Sequence, residues 1–408
     1  MESNVRDEFY EAPELMNKTA IGAHVSTYHP TSANISGAGV ISGQVVFDIS
    51  TGKGEYLDLF KTHIQLAYTT TEGAGNLFTW SLGDSPLANL FARGQLYING
   101  KKVASSQNWT QDSILSKRVS FSRDYNASVN DIPFVAQKAA NAAGVAVPYI
   151  DTEYLDALFI RDESCIIPPN CNIRLLLDID PTYEEKMALR VRNVIVGTMA
   201  IQQIRMIAYT VIKPEAVPSE YNINLITLNS FLSSVAQTNE NRQYQVSPTI
   251  VKSAITFLST LYNTAGQANK IYAGNLFKYA NDVLATGSPG TRGLTALTFK
   301  LNNITIPNSQ WNFNEGYREA YINYVNETGG ISDSAGKETF AEWLAYGPIY
   351  VANVVKPESD KSNSLQINAS LAAAGAATFM ITTAFEQNIV SIKYAPESGA
   401  VLSTDTQM

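Results

Sequence analysis

Short alternations of apolar and polar residues, broken by turn residues at close spacing, fill most of the chain from Val40 onward. Such runs read as half-buried strands. GVISGQVVFDIS (39–50) and THIQLAYTTT (62–71) are the first two. In QLYINGKKV (95–103), Asn99-Gly100 separates two strand-like runs and supplies the positive φ angles of a type I′ hairpin turn. NIRLLLDI (172–179) follows the Pro168-Pro169 turn, and AIQQIRMIAYTVI (200–212) ends at Lys213-Pro214. Then ITLNSFLSSV (226–235), VKSAITFLSTLY (251–262) and LTALTFKLNNITIP (294–307) repeat the style, the last with an Asn-Asn turn inside it. GPIYVANVV (347–355), the uncharged stretch from Thr378 to Phe385, and NIVSIKYA (388–395) complete the strands. Two segments have a helical period. VAQKAANAAG (135–144) is one. In GYREAYINYVNETGG (316–330), Tyr317, Tyr321, Tyr324 and Val325 form one apolar stripe that stops before Gly329-Gly330.

The pattern divides into a polar arm (1–19), two strand-rich blocks (20–213 and 214–396) and a polar tail (397–408), with KPEAVPSE (213–220) as the linker. Many short strands and few helices in each block predict an all-β chain of two sandwiches. The 408 residues suffice for two such domains. Charged residues are sparse at 16%, whereas the 21 Tyr and 16 Phe favour strands.

A net charge of −8, an acidic N-terminus and no basic run longer than Lys101-Lys102 argue against a phosphate-gripping surface. Two cysteines, Cys165 and Cys171, make no disulfide framework and read as free thiols. No basic segment followed by an apolar run opens the chain, so a secretory leader is not expected. Ser370–Phe385 is too short and too rich in Ala and Thr for a membrane span, and reads as a buried strand.

Candidate chemistry is thin. The three histidines, His24, His29 and His63, are scattered, with no H-E-x-x-H or C-x-x-C pattern around them. Asp178 and Asp180 place two carboxylates at the end of a strand, either a cation site or acid/base pair or, more simply, a solvated edge running into Pro181. GISDSAGK (330–337) has the look of a phosphate loop but the wrong glycine spacing, and Glu338 stands where Ser or Thr would bind magnesium. No G-x-S-x-G elbow is present. The tyrosine stripe of 317–325 suits core packing better than a ligand platform. The sequence therefore assigns no catalytic, cofactor-binding or metal-ligating residue.

Several segments, in order, resemble one family. Glu55-Tyr56-Leu57-Asp58-Leu59 leads through Thr62 and a strand to Glu72-Gly73. Then come LANLFARGQLYINGKKVASSQNWT (87–110), IPPNCNIRLLLDI (167–179) and AIQQIRMIAYTVIKP (200–214). The second half adds IVKSAITFLSTLYNTAGQANKIYAGNLFKY (250–279), Ile306-Pro307, the Tyr317-Arg318-Glu319 and Tyr321 helix, and GAATFMITTAFEQNIVSIKYA (375–395). This series resembles the double jelly-roll major capsid proteins of Polinton (Maverick) elements and adintoviruses, in the wider lineage of adenovirus hexon and tailless-phage coats. It departs from them in the Ala-rich 371–376 and in few long loop insertions. The resemblance covers about residues 40–395. It implies two tandem eight-stranded antiparallel jelly rolls, joined near 213–219, with a few short helices. It also implies a non-enzymatic coat subunit of an icosahedral DNA-virus shell. Three copies would form a pseudo-hexameric capsomer touching neighbouring capsomers, penton and minor capsid proteins, without direct sequence-specific nucleic-acid binding. The arm and the tail would order on assembly. The rival readings are a penton or minor coat protein, a β-sandwich glycan-binding protein or glycoside hydrolase, and an unrelated soluble enzyme.

Overall fold

A computed structural model describes residues 22–72, 80–82, 86–130, 145–161, 165–181, 183, 188–190, 197–213, 218–235, 237–259, 261–262, 270–271, 294–328, 336–353, 363–372, 378–395 and 399–407. The first half contains β1 (Gly22–Tyr28), β2 (Ser32–Ile35), β3 (Ile41–Ser50), β4 (Glu55–Glu72), β5 (Phe91–Ile98) and β6 (Lys101–Ser106). Helices α1 (Trp109–Ser120) and α2 (Arg123–Ser128) follow. The half closes with β7 (Ala146–Tyr154), β8 (Phe159–Ile160), β9 (Ile166–Ile167), β10 (Asn172–Ile179) and β11 (Gly197–Ile212). One sheet runs β1-β11-β4, with β7 and β9 both on the far edge of β4; the other runs β2-β3-β10-β5-β6.

The second half contains β12 (Glu220–Val235), β13 (Asn239–Val246), β14 (Ile250–Ser259), β15 (Leu294–Leu301), β16 (Ile304–Asn312), α3 (Arg318–Glu327) and α4 (Phe340–Tyr346). It ends with β17 (Tyr350–Asn353), β18 (Asn363–Leu371), β19 (Thr378–Tyr394) and β20 (Val401–Gln407). Its sheets run β17-β14-β19-β12-β8 and β13-β18-β15-β16, and β20 pairs with β19. Two small ribbons, Trp80–Leu82 with Ala188–Arg190 and Leu261–Tyr262 with Lys270–Ile271, lie outside these sheets. All pairs are antiparallel, and each half is a two-sheet sandwich, as the strand pattern predicts, with the jelly-roll form that the resemblance implies.

The period-2 signal works where one face is buried. In β10, Ile173, Leu175, Leu177 and Ile179 are buried while Asn172 and Arg174 are exposed. Both hairpins turn on residues at positive φ: Asn99 (51°) and Gly100 (79°), then Asn302 (49°) and Asn303 (69°). Asn tolerates the left-handed region better than other side chains, so these turns were readable.

Some expectations need correction. Thr378–Tyr394 is a single strand of 17 residues, not two. Its polar centre, Glu386 to Asn388, stays in register with β12, so the ladder holds where the apolar signal fades. Val401–Gln407 is a strand paired with β19, not a tail that waits for assembly. Thr404 turns inward there and accepts a hydrogen bond from Asn99 Nδ2 at 2.9 Å. β1, β7, β13 and β18 had no counterpart in the strand reading, and α1 none in the helix reading. The segments 1–19, 135–144, 214–217 and Gly329-Gly330 lie outside the described residues.

The two cores are not confined to their own halves. The first includes Ile223, Leu225, Val390, Ile392 and Tyr394, from β12 and β19. The second includes Ile114, Leu115 and Val119, from α1. The β12–β19 ladder, Glu220↔Lys393 to Val235↔Thr378, passes from one core into the other. β8 also crosses over, pairing Ile160 with Ile226 and Phe159 with Thr227.

Candidate functional site

The chain concentrates its buried charge where the two sandwiches meet, and α1 is the hub. The helix opens on Trp109, whose ring sits edge-on to Phe91 at 5.4 Å. Gly94 lies beneath that ring; a Cβ there would be 2.2 Å from Trp109 Cζ3. Asp112 in the first turn and Lys117 and Arg118 in the last suit the helix dipole. Yet all three are buried, at 1%, 1% and 0% exposure. Buried charge is tolerated only when paired and hydrogen-bonded.

The pairing is thorough. Asp112 accepts hydrogen bonds from Ser106 Oγ at 2.6 Å and from Ser230 Oγ on β12. Burial pushes its carboxyl from an ordinary 3.8 up to about 7, and the two hydroxyls only partly offset this. Glu153 on β7 accepts from Ser113 Oγ at 2.5 Å and Lys117 Nζ at 2.6 Å. Burial pushes the Glu153 carboxyl upward against the pull of Lys117. Arg118 reaches the second sandwich: Nε and Nη2 donate to Glu338 Oε1 at 3.0 and 2.5 Å, and Nη1 to the Gly347 carbonyl at 2.8 Å. Tyr324 OH on α3 donates to the Arg118 carbonyl at 3.0 Å.

The C-terminal end of α1 is closed from the second half. Lys337 Nζ donates to the carbonyls of Arg118, Val119 and Phe121 at 3.2, 3.0 and 2.7 Å. Helix ends leave such carbonyls without intrahelical partners, and a cation there also complements the dipole. Next to it, Arg123 forks onto Glu342, Nε and Nη2 reaching Oε1 at 3.1 and 2.6 Å. Glu342 completes a capping box with Thr339 at the start of α4. Arg123 holds the Glu342 carboxyl down to about 2. Arg161 pairs with Asp156 at 3.0 Å and lies 3.7 Å over the Tyr154 ring.

The residues singled out from sequence do not converge on a reactive centre. His24 and His29 are exposed. His63 sits between Tyr154 and Tyr209, at 5.3 and 6.1 Å, and burial lowers its pKa. Asp178 accepts from Gln44 Nε2 at 2.9 Å, while Asp180 is buried past the end of β10. Of GISDSAGK, residues 330–335 lie outside the described set. Its Lys337 caps a helix, and the neighbouring Glu338 carries an ion pair, so this stretch works in the joint. Tyr317 and Tyr324 are fully buried, stacked on Phe313 and packed near Trp343, as core residues. Cys165 and Cys171 are both buried and are not joined in a disulfide. Among the described residues, no three His, Cys, Asp or Glu side chains are grouped to hold a metal, and no helix is long and apolar enough to cross a membrane.

A polar cleft of about 230 Å³ opens at the joint between β6, β12 and β19. Its lining contains no aromatic side chain and one carboxylate, Glu386.

No protein-family model and no curated protein sequence matches the chain. Solved structures do. A cryo-EM structure of the Sputnik virophage aligns over 96% of this chain and 89% of that one, with a TM-score of 0.65 at 11% identity. The mavirus major capsid protein aligns over 98% and 94%, with a TM-score of 0.56 at 13% identity. A PBCV-1 virus capsid chain aligns over 94% and 97%, with a TM-score of 0.56 at 12% identity. The chain has the double jelly-roll fold. In this double jelly roll the joint is an internal weld: α1 and β8 leave the first roll to complete the second, and β12 and β19 return the exchange.

Proposed function

We propose that the chain is a major capsid protein of an icosahedral DNA virus, located in the virion, that trimerises into pseudo-hexameric capsomers. The carrying observation is the joint. Two similar sandwiches are joined by the buried Arg118–Glu338 ion pair and by exchanged strands into one two-lobed block. Three such blocks give six similar lobes, the requirement for a pseudo-sixfold outline. We read 20–213 and 214–396 as the two rolls and 1–19 as an arm. Its partners are further copies in the trimer, neighbouring capsomers, and penton and minor capsid proteins, with no sequence-specific contact to nucleic acid.

We infer no enzymatic activity and no cofactor. The buried carboxylates of the joint are spent on Lys117, Arg118, Arg161 and serine hydroxyls, facing no substrate. The alternative, a glycan-binding sandwich or glycoside hydrolase, needs an aromatic platform or two facing carboxylates. The cleft at the joint supplies neither. Native mass measurement with electron microscopy tests the proposal. A trimer that forms shells is the expected result. A monomer that binds an oligosaccharide would sink it.

A further inference from the structure

Eight strands of one roll have counterparts in the other, but the two rolls do not use equivalent surfaces alike. β1, β11, β4 and β7 correspond to β12, β19, β14 and β17: in each half the first strand pairs with the last long one. β3, β10, β5 and β6 correspond to β13, β18, β15 and β16. The helices occupy the same place in both, α1 and α2 after one hairpin, α3 and α4 after the other.

The β12 edge is covered inside the chain. β8 pairs with Ile226 and Thr227, and α1 bonds Ser230 through Asp112 while packing Leu115 and Val119 into the second core. Its counterpart β1 has no such cover. Among the described residues no strand pairs with its outer edge, Gly22 to Val25 and Thr27 are exposed, and Val25 is 55% exposed. The strand GAHVSTY has no Lys, Arg, Asp, Glu or Pro and pairs with β11 without a bulge. Native sheets guard such edges against association. Three other edges are guarded: Pro307 lies in β16, Glu240 and Arg242 in β13, and Lys101-Lys102 open β6.

The helices show the matching asymmetry. α1 is almost wholly buried, whereas α3 leaves Glu319, Ile322 and Asn326 outward, with Ile322 51% exposed. That stripe repeats the spacing of Asp112, Leu115 and Val119: an acid, an aliphatic residue three later, and a third position four beyond.

We propose that the α3 face bearing Glu319 and Ile322 docks on the β1 edge of a second copy of this chain. It repeats between copies the joint that α1 makes with β12 within one. This assignment rests on the capsomer reading. The contact joins unlike surfaces, so it runs head to tail, and a threefold rotation between copies closes it into the trimer of the proposed capsomer. Aspartate at either exposed position puts a charge into the contact without touching a core.

The test uses Val25→Asp and Ile322→Asp in the full chain, with circular dichroism to show the fold intact. Native mass spectrometry is expected to find the wild type trimeric and each variant monomeric. An equal mixture is expected to stop at a heterodimer, because one variant keeps its α3 face and the other its β1 edge. If either variant stays trimeric, or the mixture stays monomeric, the surface assignment is overturned and the capsomer reading survives. A wild-type chain that is monomeric at every concentration overturns both.

Discussion

Asp112 makes the joint sensitive to pH in a direction opposite to most carboxylates. It is 1% exposed, its partners among the described residues are the neutral hydroxyls of Ser106 and Ser230, and its carboxyl stands at about 7 against an ordinary 3.8. Between those values the folded chain holds a proton that the unfolded chain has released, so stability falls as pH rises. Stability is fully present below the unfolded value and is lost as pH passes through about 7. A gap of about three pH units corresponds to roughly 4 kcal/mol at 1.36 kcal/mol per unit. Asp112→Asn keeps the shape and offers both an acceptor and a donor to Ser106 and Ser230, but cannot ionise. The assay is urea unfolding of wild type and variant at fixed protein concentration, from about pH 5 to about pH 8. The variant's stability relative to wild type should climb by a few kcal/mol across that range, because the wild type alone loses its bound proton. Other titrating groups are common to both and cancel in the difference. A difference that stays flat with pH, or that falls, would refute the reasoning.

Three more outcomes follow from the same region. Arg118→Met strands Glu338 in the interior and should cost about 3–5 kcal/mol by chemical unfolding, most of which Glu338→Gln in the same chain should restore. Gly94→Ala drives a methyl into the Trp109 ring and should cost about 1–3 kcal/mol, with a changed near-ultraviolet tryptophan signal, and Trp109→Leu should relieve the clash. Glu342→Ala should cost about 1 kcal/mol at neutral pH, mostly through the lost capping-box bond to Thr339 N–H, since Arg123 is partly solvated. The Glu342 carboxyl is held at about 2 against an ordinary 4.5, so its contribution is present above 4.5 and disappears as pH falls through about 2. Unfolding midpoints compared at neutral and strongly acidic pH read that slope.

The strands were legible because their burial is apolar on one side and polar on the other. β10 carries that rule in its own letters, and the two Asn-containing hairpins announce themselves through residues that accept positive φ. The joint was not legible for the converse reason. α1 reads TQDSILSKRVS after its opening Trp, a polar string with no clean apolar stripe, yet it is buried on nearly every face. Periodicity detects helices that bury hydrocarbon. This one buries carboxylates, an ammonium and a guanidinium, whose partners Glu153, Ser230 and Glu338 are 36 to 220 residues away. Nothing local in the sequence couples them.

That distance explains why chemistry-seeking motifs misdirected attention while still falling on important residues. Lys337 and Glu338 looked like the end of a failed phosphate loop. They matter because an ammonium can close a helix end and a carboxylate can neutralise a buried guanidinium, both across the boundary between rolls. The Asp178 and Asp180 pair attracted notice as a cation site, yet Asp178 accepts from Gln44 and Asp180 is buried beyond the strand. Charge in this chain serves registry. The Lys117–Glu153 and Arg118–Glu338 pairs are buried on both sides, and removing one member leaves the other buried without compensation. Directional, desolvated pairs favour a single relative placement of the two sandwiches.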